Sequence, residues 1–235
     1  MLFVPPVIGT NRLLAALPRD DCEQLLASCE ETELIFAEGL YRAGDLISHV
    51  YFPTTSFISL ITPIGSDRNI EVGLIGNEGM FGLPLILAVD VAPFDGVVQG
   101  AGLALRMSKS AFLRKFEKCS TLQRDLKRYL YVVMSQIVQT AGCNRFHVLE
   151  ARLARWLLMT HDRAQSDQFH ITHLFLAYML GVRRVGITKA ANSLQMKGLI
   201  SYKRGKIKIL DRVGLEATSC GCYRTEKEIY ERILG

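Results

Sequence analysis

Two hydrophobic rhythms run along the chain. From about Thr32 to Arg106, short apolar runs are broken by turn-forming residues, as in "HVYFPTTSFISLITPIGSDRNIEVGLIGNEGMFGLPL", where "PIGSDRN" links two strand-like runs. Val72, Leu74 and Ile75 continue one run, and "GVVQGAGLALRM" makes another. Many short strands at close spacing predict an antiparallel roll or barrel. Around residue 108 the period lengthens. Ser108 or Ser110 is placed to cap a helix opening in "SKSAFLRKF". Leu126, Leu130, Val133, Ile137 and Thr140 then recur at spacings of four, three, four and three, with Lys127, Arg128 and Gln136 off that line. This is an a/d seam over about two heptads. It fits pairing with a second copy of the helix, and also packing on the helix's own domain.

A further helix, "HVLEARLARWLLMTH", sets Val148, Leu149, Leu153, Trp156 and Leu157 on one side and Arg152 and Arg155 on the other. "DRAQSDQ" reads as a polar loop, after which Thr172 can cap a short helix. Residues 172–197 then read as two helices around a tight turn. Ala177, Gly181 and Ile187 lie four and then six residues apart. A small residue is needed where the second helix crosses, a glycine takes the turn, and a branched residue locks the helices together. Leu174, Tyr178 and Leu180 are expected to pack from the first helix, and Ala190, Ala191 and Leu194 from the second. Arg184, Thr188 and Lys189 then project away from that contact, with Arg183 at the start of the second helix. Long donors at a helix N-terminal end suit entry into a DNA major groove. "GLISYKRGKIKILD" follows as a strand, a turn and a strand, alternating Ile207 and Ile209 with Lys206 and Lys208. Lys203 and Arg204 at its tip are placed to meet phosphates.

Charge sharpens this reading. Residues 1–142 carry 12 Lys/Arg and 15 Asp/Glu, whereas residues 143–235 carry 16 and 8. Residues 183–212 hold nine basic residues and one acid, Asp211. One half is built to meet a polyanion, and the other is not. Nothing approaches a membrane-spanning apolar run, and "MLFVPPVIGTNRLL" lacks the basic start of a signal peptide. A cytoplasmic protein with six reduced cysteines is expected. Walker A, H-E-x-x-H and G-x-S-x-G sequences are all missing, and Glu71 and Glu78, seven apart in a strand-and-turn context, do not read as a catalytic pair, so an enzyme is not expected.

In order, an α+β chain is expected: an antiparallel β-roll (residues 1–118), a linking dimerisation helix (119–142) and a winged helix-turn-helix (143–235). The sequence resembles the Crp/Fnr family of bacterial transcription regulators, most specifically in "RLARWLLMTHDR" and "ITHLFLAYMLGVRRVGITKAANSLQMKGLISYKRGKIKILD". The resemblance implies a roll like a cyclic-nucleotide-binding jelly roll, a homodimer on palindromic double-stranded DNA and contact with RNA polymerase, and it favours activation over repression, a choice the sequence itself leaves open. It makes Arg184 and Lys189 the principal base readers. The family's glutamate after that arginine is replaced here by Val185, which predicts a different operator. The alternative is a ligand- or redox-responsive adaptor that uses the winged helix to contact protein.

The resemblance also locates a ligand pocket, and there the chain departs from the pattern. Gly82 matches the pocket glycine, but Leu83 stands at the glutamate. Pro93 matches the proline, whereas Phe94 replaces the phosphate-pairing arginine and Asp95 the hydroxyl residue. A buried phosphate needs a cation, so cyclic AMP is not the expected effector. No cofactor is assigned, and the effector stays unknown. Cys22 and Cys29 alone near the start do not make an iron–sulfur site, and His49 is the only histidine of the β-rich half. Cys220 and Cys222 in "SCGCY" are a suggestive thiol pair, but two ligands fall short of a structural zinc, and no metal site is assigned.

Overall fold

A computed structural model of the chain describes residues 10–65, 68–164 and 166–235. It is an α+β protein. Two short helices, α1 (Arg12–Ala15) and α2 (Arg19–Leu26), precede seven strands: β1 (Glu30–Leu34), β2 (Gly39–Tyr41), β3 (His49–Pro53), β4 (Phe57–Ile64), β5 (Arg68–Ile75), β6 (Asp95–Gly100) and β7 (Gly102–Ser108). They form two sheets, ordered β1-β7-β3 and β2-β6-β4-β5, in which β7 pairs antiparallel with β1 and β3, and β2 with β6. This is the expected roll. β3 and the first five residues of β4 are almost continuously buried, which explains why these segments read as apolar runs and not as clean alternation. The interior holds Phe52, Ile58, Leu60, Val98 and Ala104, none measurably exposed.

α3 (Lys109–Lys118) starts at Ser108, whose hydroxyl accepts from the Ala111 amide. α4 (Ser120–Phe146) is the long linking helix, 27 residues in length. The C-terminal elements are α5 (Leu149–Ala164), β8 (Gln168–His170), α6 (His173–Met179), α7 (Arg184–Met196), β9 (Ile200–Lys203), β10 (Lys206–Ile209), α8 (Arg212–Thr218) and α9 (Cys222–Leu234). Apart from the last two residues, the chain divides into two units. One joins Met1–Leu60 with Leu74–Tyr131, and the other joins Ile61–Gly73 with Val132–Ile233. Thus α4 and the β4–β5 hairpin each contribute residues to both.

Three placements correct the sequence reading. Arg152 and Arg155 do not lie on a solvated side of α5; every residue from Arg152 to Thr160 is buried. Arg152 donates to Leu180 O at 2.6 Å. Arg155 donates to Thr140 Oγ1 at 2.9 Å and pairs with the equally buried Glu226. Second, Leu126 and Val133 are buried within their own chain, while Leu130 and Ile137 are half-buried. The large apolar residues of α4 that face solvent are Tyr131, Met134, Val138, which is 72% exposed, and Phe146 at its last position. Third, a short strand, β8, follows the polar loop, starting at the loop's last residue, Gln168, and pairing to β10.

No helix among the described residues is long and apolar enough to cross a membrane.

Candidate nucleic-acid interface

α6 begins where Thr172 Oγ1 accepts from the Phe175 amide at 3.1 Å. It ends in a Schellman arrangement: Val182 N–H reaches Ala177 O at 3.0 Å and Gly181 N–H reaches Tyr178 O at 3.4 Å. Gly181 takes φ 62°, the left-handed conformation that a side chain disfavours, so the turn needs this glycine. α7 ends in the same way, with Gly198 at φ 71° and Leu199 N–H on Leu194 O. Between the helices Ala177 and Ile187 are buried, together with Ala190, Ala191 and Leu194. On α6 the packing falls to Leu176, Ala177, Met179 and Leu180. Leu174 is 68% exposed and Tyr178 is also exposed, so neither closes the helix pair; they lie on the face of α6 away from its buried Leu176, Ala177 and Met179.

This packing fixes what α7 presents. Arg183, the N-cap residue, is exposed, as are Arg184, Lys189 and Val185, the last at 61%. Thr188 is only half-exposed. Its hydroxyl donates to Arg184 O at 3.1 Å and lies 3.0 Å from His173 Nδ1. Thr188 therefore ties α7 to the first residue of α6 and has less freedom to read a base. His173 stacks at 4.5 Å on Tyr202 of β9, and Tyr202 donates its phenol to Ile171 O at 2.9 Å. Burial, and then the Arg184 charge, hold the His173 pKa below the usual histidine value.

The wing is a three-stranded antiparallel sheet in the order β8-β10-β9. In β10, Ile207 and Ile209 face inward and Lys206 and Lys208 outward. Lys203 pairs with Lys206 across a two-residue turn. That turn, Arg204–Gly205, has φ 50° and 79°, the sign that a tight hairpin needs at both positions. A side chain at Gly205 would come within 2.9 Å of His170, so the tip is packed as well as turned. Lys203 and Arg204 are exposed. Arg183, Arg184, Lys189, Lys203 and Arg204 form no ion pair among the described residues, so their charge is available to an outside anion.

Behind this surface the helices are braced by a polar network. Arg212 reaches Asp162 at 2.6 Å, Glu216 at 3.0 Å and the Tyr223 hydroxyl at 2.6 Å. Tyr223 donates to Asp162 Oδ2 at 2.8 Å, tying α5, α8 and α9 together.

In the roll, the residues matched to a ligand pocket are divided in their roles. Gly82 has φ 107°, and a side chain there would come within 2.8 Å of Val50. Leu83 is buried. Phe94 is half-buried, and Asp95 Oδ1 accepts from the Ala43 amide at 2.7 Å. Phe81 stacks on Tyr41 at 5.7 Å and lies 6.3 Å from Tyr51, so an aromatic group adjoins Gly82.

Residues 151–218 match the family model of the Crp-like helix-turn-helix domain. No curated protein matches the sequence. Among solved structures, FixK2 from Bradyrhizobium japonicum is similar at TM-score 0.69 and 14% identity, covering 82% of this chain and 98% of that one. A Crp/Fnr-family transcriptional regulator from Thermus thermophilus is similar at TM-score 0.67 and 18% identity, covering 81% and 98%. The c-di-GMP-responsive regulator CLP of Xanthomonas campestris is similar at 0.63 and 17%, covering 82% and 99%. At these identities the likeness is one of fold. Residues 151–218 are a Crp-like helix-turn-helix domain, in a chain with the fold of Crp/Fnr-type transcription regulators.

Proposed function

We propose that the protein is a sequence-specific, homodimeric DNA-binding regulator working in the cytoplasm, and that it recruits RNA polymerase to palindromic promoter sites. The observation that carries this reading is the set of five exposed cations, without an ion pair among the described residues, on the N-terminal part of α7 and the wing tip. Arg183, Arg184 and Lys189 are placed for base edges and nearby phosphates, and Lys203 and Arg204 for the flanking backbone. Val185 offers a thymine methyl apolar contact where an acid would accept from cytosine. The second copy is taken to pair along Tyr131, Met134 and Val138, spaced three and four apart like a coiled-coil seam.

The roll is the candidate sensor. Asp95 and Phe94 supply no cation for a cyclic phosphate, so the effector has a chemistry other than that of cyclic AMP.

The test is selection of bound duplexes from a random library by purified full-length protein. A recovered palindrome with half-sites about one helical turn apart supports a dimeric reader. Salt-sensitive binding with no enriched sequence would sink the base-reading assignment.

A further inference from the structure

At the C-terminal end of α4, Cys143 and His147 stand one helical turn apart; the His147 amide bonds to Cys143 O at 3.1 Å, so the turn continues to the histidine. Residues four apart share a helix face. The segment joining α8 to α9 brings Cys220 and Cys222 to the same place. Cys143 Sγ lies 3.4 Å from Cys220 Sγ. Cys222 Sγ lies 3.5 Å from His147 Nδ1. The four donor atoms all fall within 4.8 Å of one another. The three thiols are buried, and the histidine is exposed.

We infer that Cys143, His147, Cys220 and Cys222 form a tetrahedral site for one zinc ion, which fastens the end of the linking helix to the α8–α9 connection.

Donor set and spacing both select this ion. Three sulfurs and one imidazole nitrogen are a standard structural zinc set, and four protein ligands leave no open position for chemistry. With zinc–sulfur bonds of about 2.3 Å, tetrahedral geometry puts sulfurs about 3.8 Å apart, within the spread seen here. A hard cation such as Mg²⁺ or Ca²⁺ would call for oxygen ligands instead. An iron–sulfur cluster spreads its ligands over several iron atoms, whereas these four converge on one point.

The surroundings suit the charge. Three thiolates and one dication leave a net charge of −1, and the thiol protons pass to solvent as the metal binds. The buried guanidinium groups of Arg152 and Arg155 place positive charge near Cys143 and Cys220. Gln139 Nε2 donates to Cys222 Sγ at 3.0 Å, an outer contact of the kind that orients a metal ligand. Cys22, Cys29 and Cys119 lie outside the group.

The site goes beyond the DNA-binding reading, and it is tested without DNA. Full-length protein is purified under reducing conditions, its metal is counted by mass spectrometry, and the stripped protein is titrated with Co²⁺. One zinc per chain is expected, with intense tetrahedral cobalt absorption and a thiolate charge-transfer band. Cys222→Ser and His147→Ala should lower the stoichiometry toward zero, while Cys119→Ser keeps it at one. Should either ligand variant fail to fold, the cobalt spectrum of the unaltered chain decides alone. Metal-free wild-type protein with no cobalt bands overturns the site. So does full zinc occupancy in Cys143→Ser, or reduced protein in which cobalt gives only octahedral, weak absorption.

Discussion

Arg152 donates through Nη2 to the main-chain oxygen of Leu180 at 2.6 Å, so a buried side chain of α5 holds the last turn of α6. Replacing it leaves that carbonyl without its partner inside the domain. Arg152→Met should lower unfolding free energy by about 1–3 kcal/mol, read by urea denaturation of the full chain. A loss within a few tenths would show that the contact carries little.

The pair of Arg155 and Glu226 makes a harsher prediction, because both groups are buried. Glu226→Ala leaves a guanidinium charge uncompensated and should cost about 3–5 kcal/mol. Arg155→Met with Glu226→Met should be far milder, since no lone charge remains. Equal losses in the single and double variants would count against the pairing.

Arg184 and Lys203 are both exposed cations, yet they are expected to fail differently. Arg184→Ala should remove about 1–3 kcal/mol of discrimination at one base position of the half-site. Lys203→Ala should weaken binding to all duplexes alike and reduce the salt slope by about one. Competition binding at several salt concentrations separates the two. If both substitutions lower affinity uniformly, α7 does not read bases.

Protonation of His173 gives a pH signature. Its folded pKa is depressed by burial and by Arg184, so the folded state favours the neutral ring. That contribution is fully present above the ordinary histidine pKa of about 6.5 and is lost as pH falls below it. The difference in melting temperature between the wild type and His173→Gln should be constant above neutrality, and the wild type should lose stability relative to the variant as pH falls below about 6.5. Parallel curves would mean that the histidine does not titrate differently on folding.

For the second copy, the decisive residues are Met134 and Val138. Met134→Glu should convert a dimer to a monomer, read as mass by light scattering, without disturbing the buried Leu126 and Val133. A dimer that survives this change pairs elsewhere.

Where the sequence has a period, it reveals the structure. The alternation at Ile207 and Ile209, the Ala177–Gly181–Ile187 spacing and the Ser108 and Thr172 caps all locate their elements. β8 is three residues long, too short to show alternation. Arg152 and Arg155 were misplaced because pattern reading sends cations to solvent, whereas here carbonyl, hydroxyl and carboxylate partners draw them in. Of the α4 seam residues, Leu126 and Val133 fill the chain's own interior while Leu130 and Ile137 stay half-buried, and the most exposed apolar line is displaced from them. Of the proposed zinc set the sequence showed the Cys220–Cys222 pair but not its partners Cys143 and His147, for another reason. Cys143 and Cys220 are 77 positions apart, and only folding joins the C-x₃-H of one helix to the C-x-C beyond another.

The left-handed turn at Arg204 has a consequence for affinity. An L-residue there carries strain of about 1–2 kcal/mol, which asparagine or glycine would relieve. The hairpin thus presents a cation at its apex instead of the residue its backbone favours. In return, the main chain that carries the guanidinium is already fixed before DNA arrives, so less disorder is lost on binding. Folding stability and phosphate affinity are set against each other in one residue, and the wing is pre-organised at the expense of its own ease of folding.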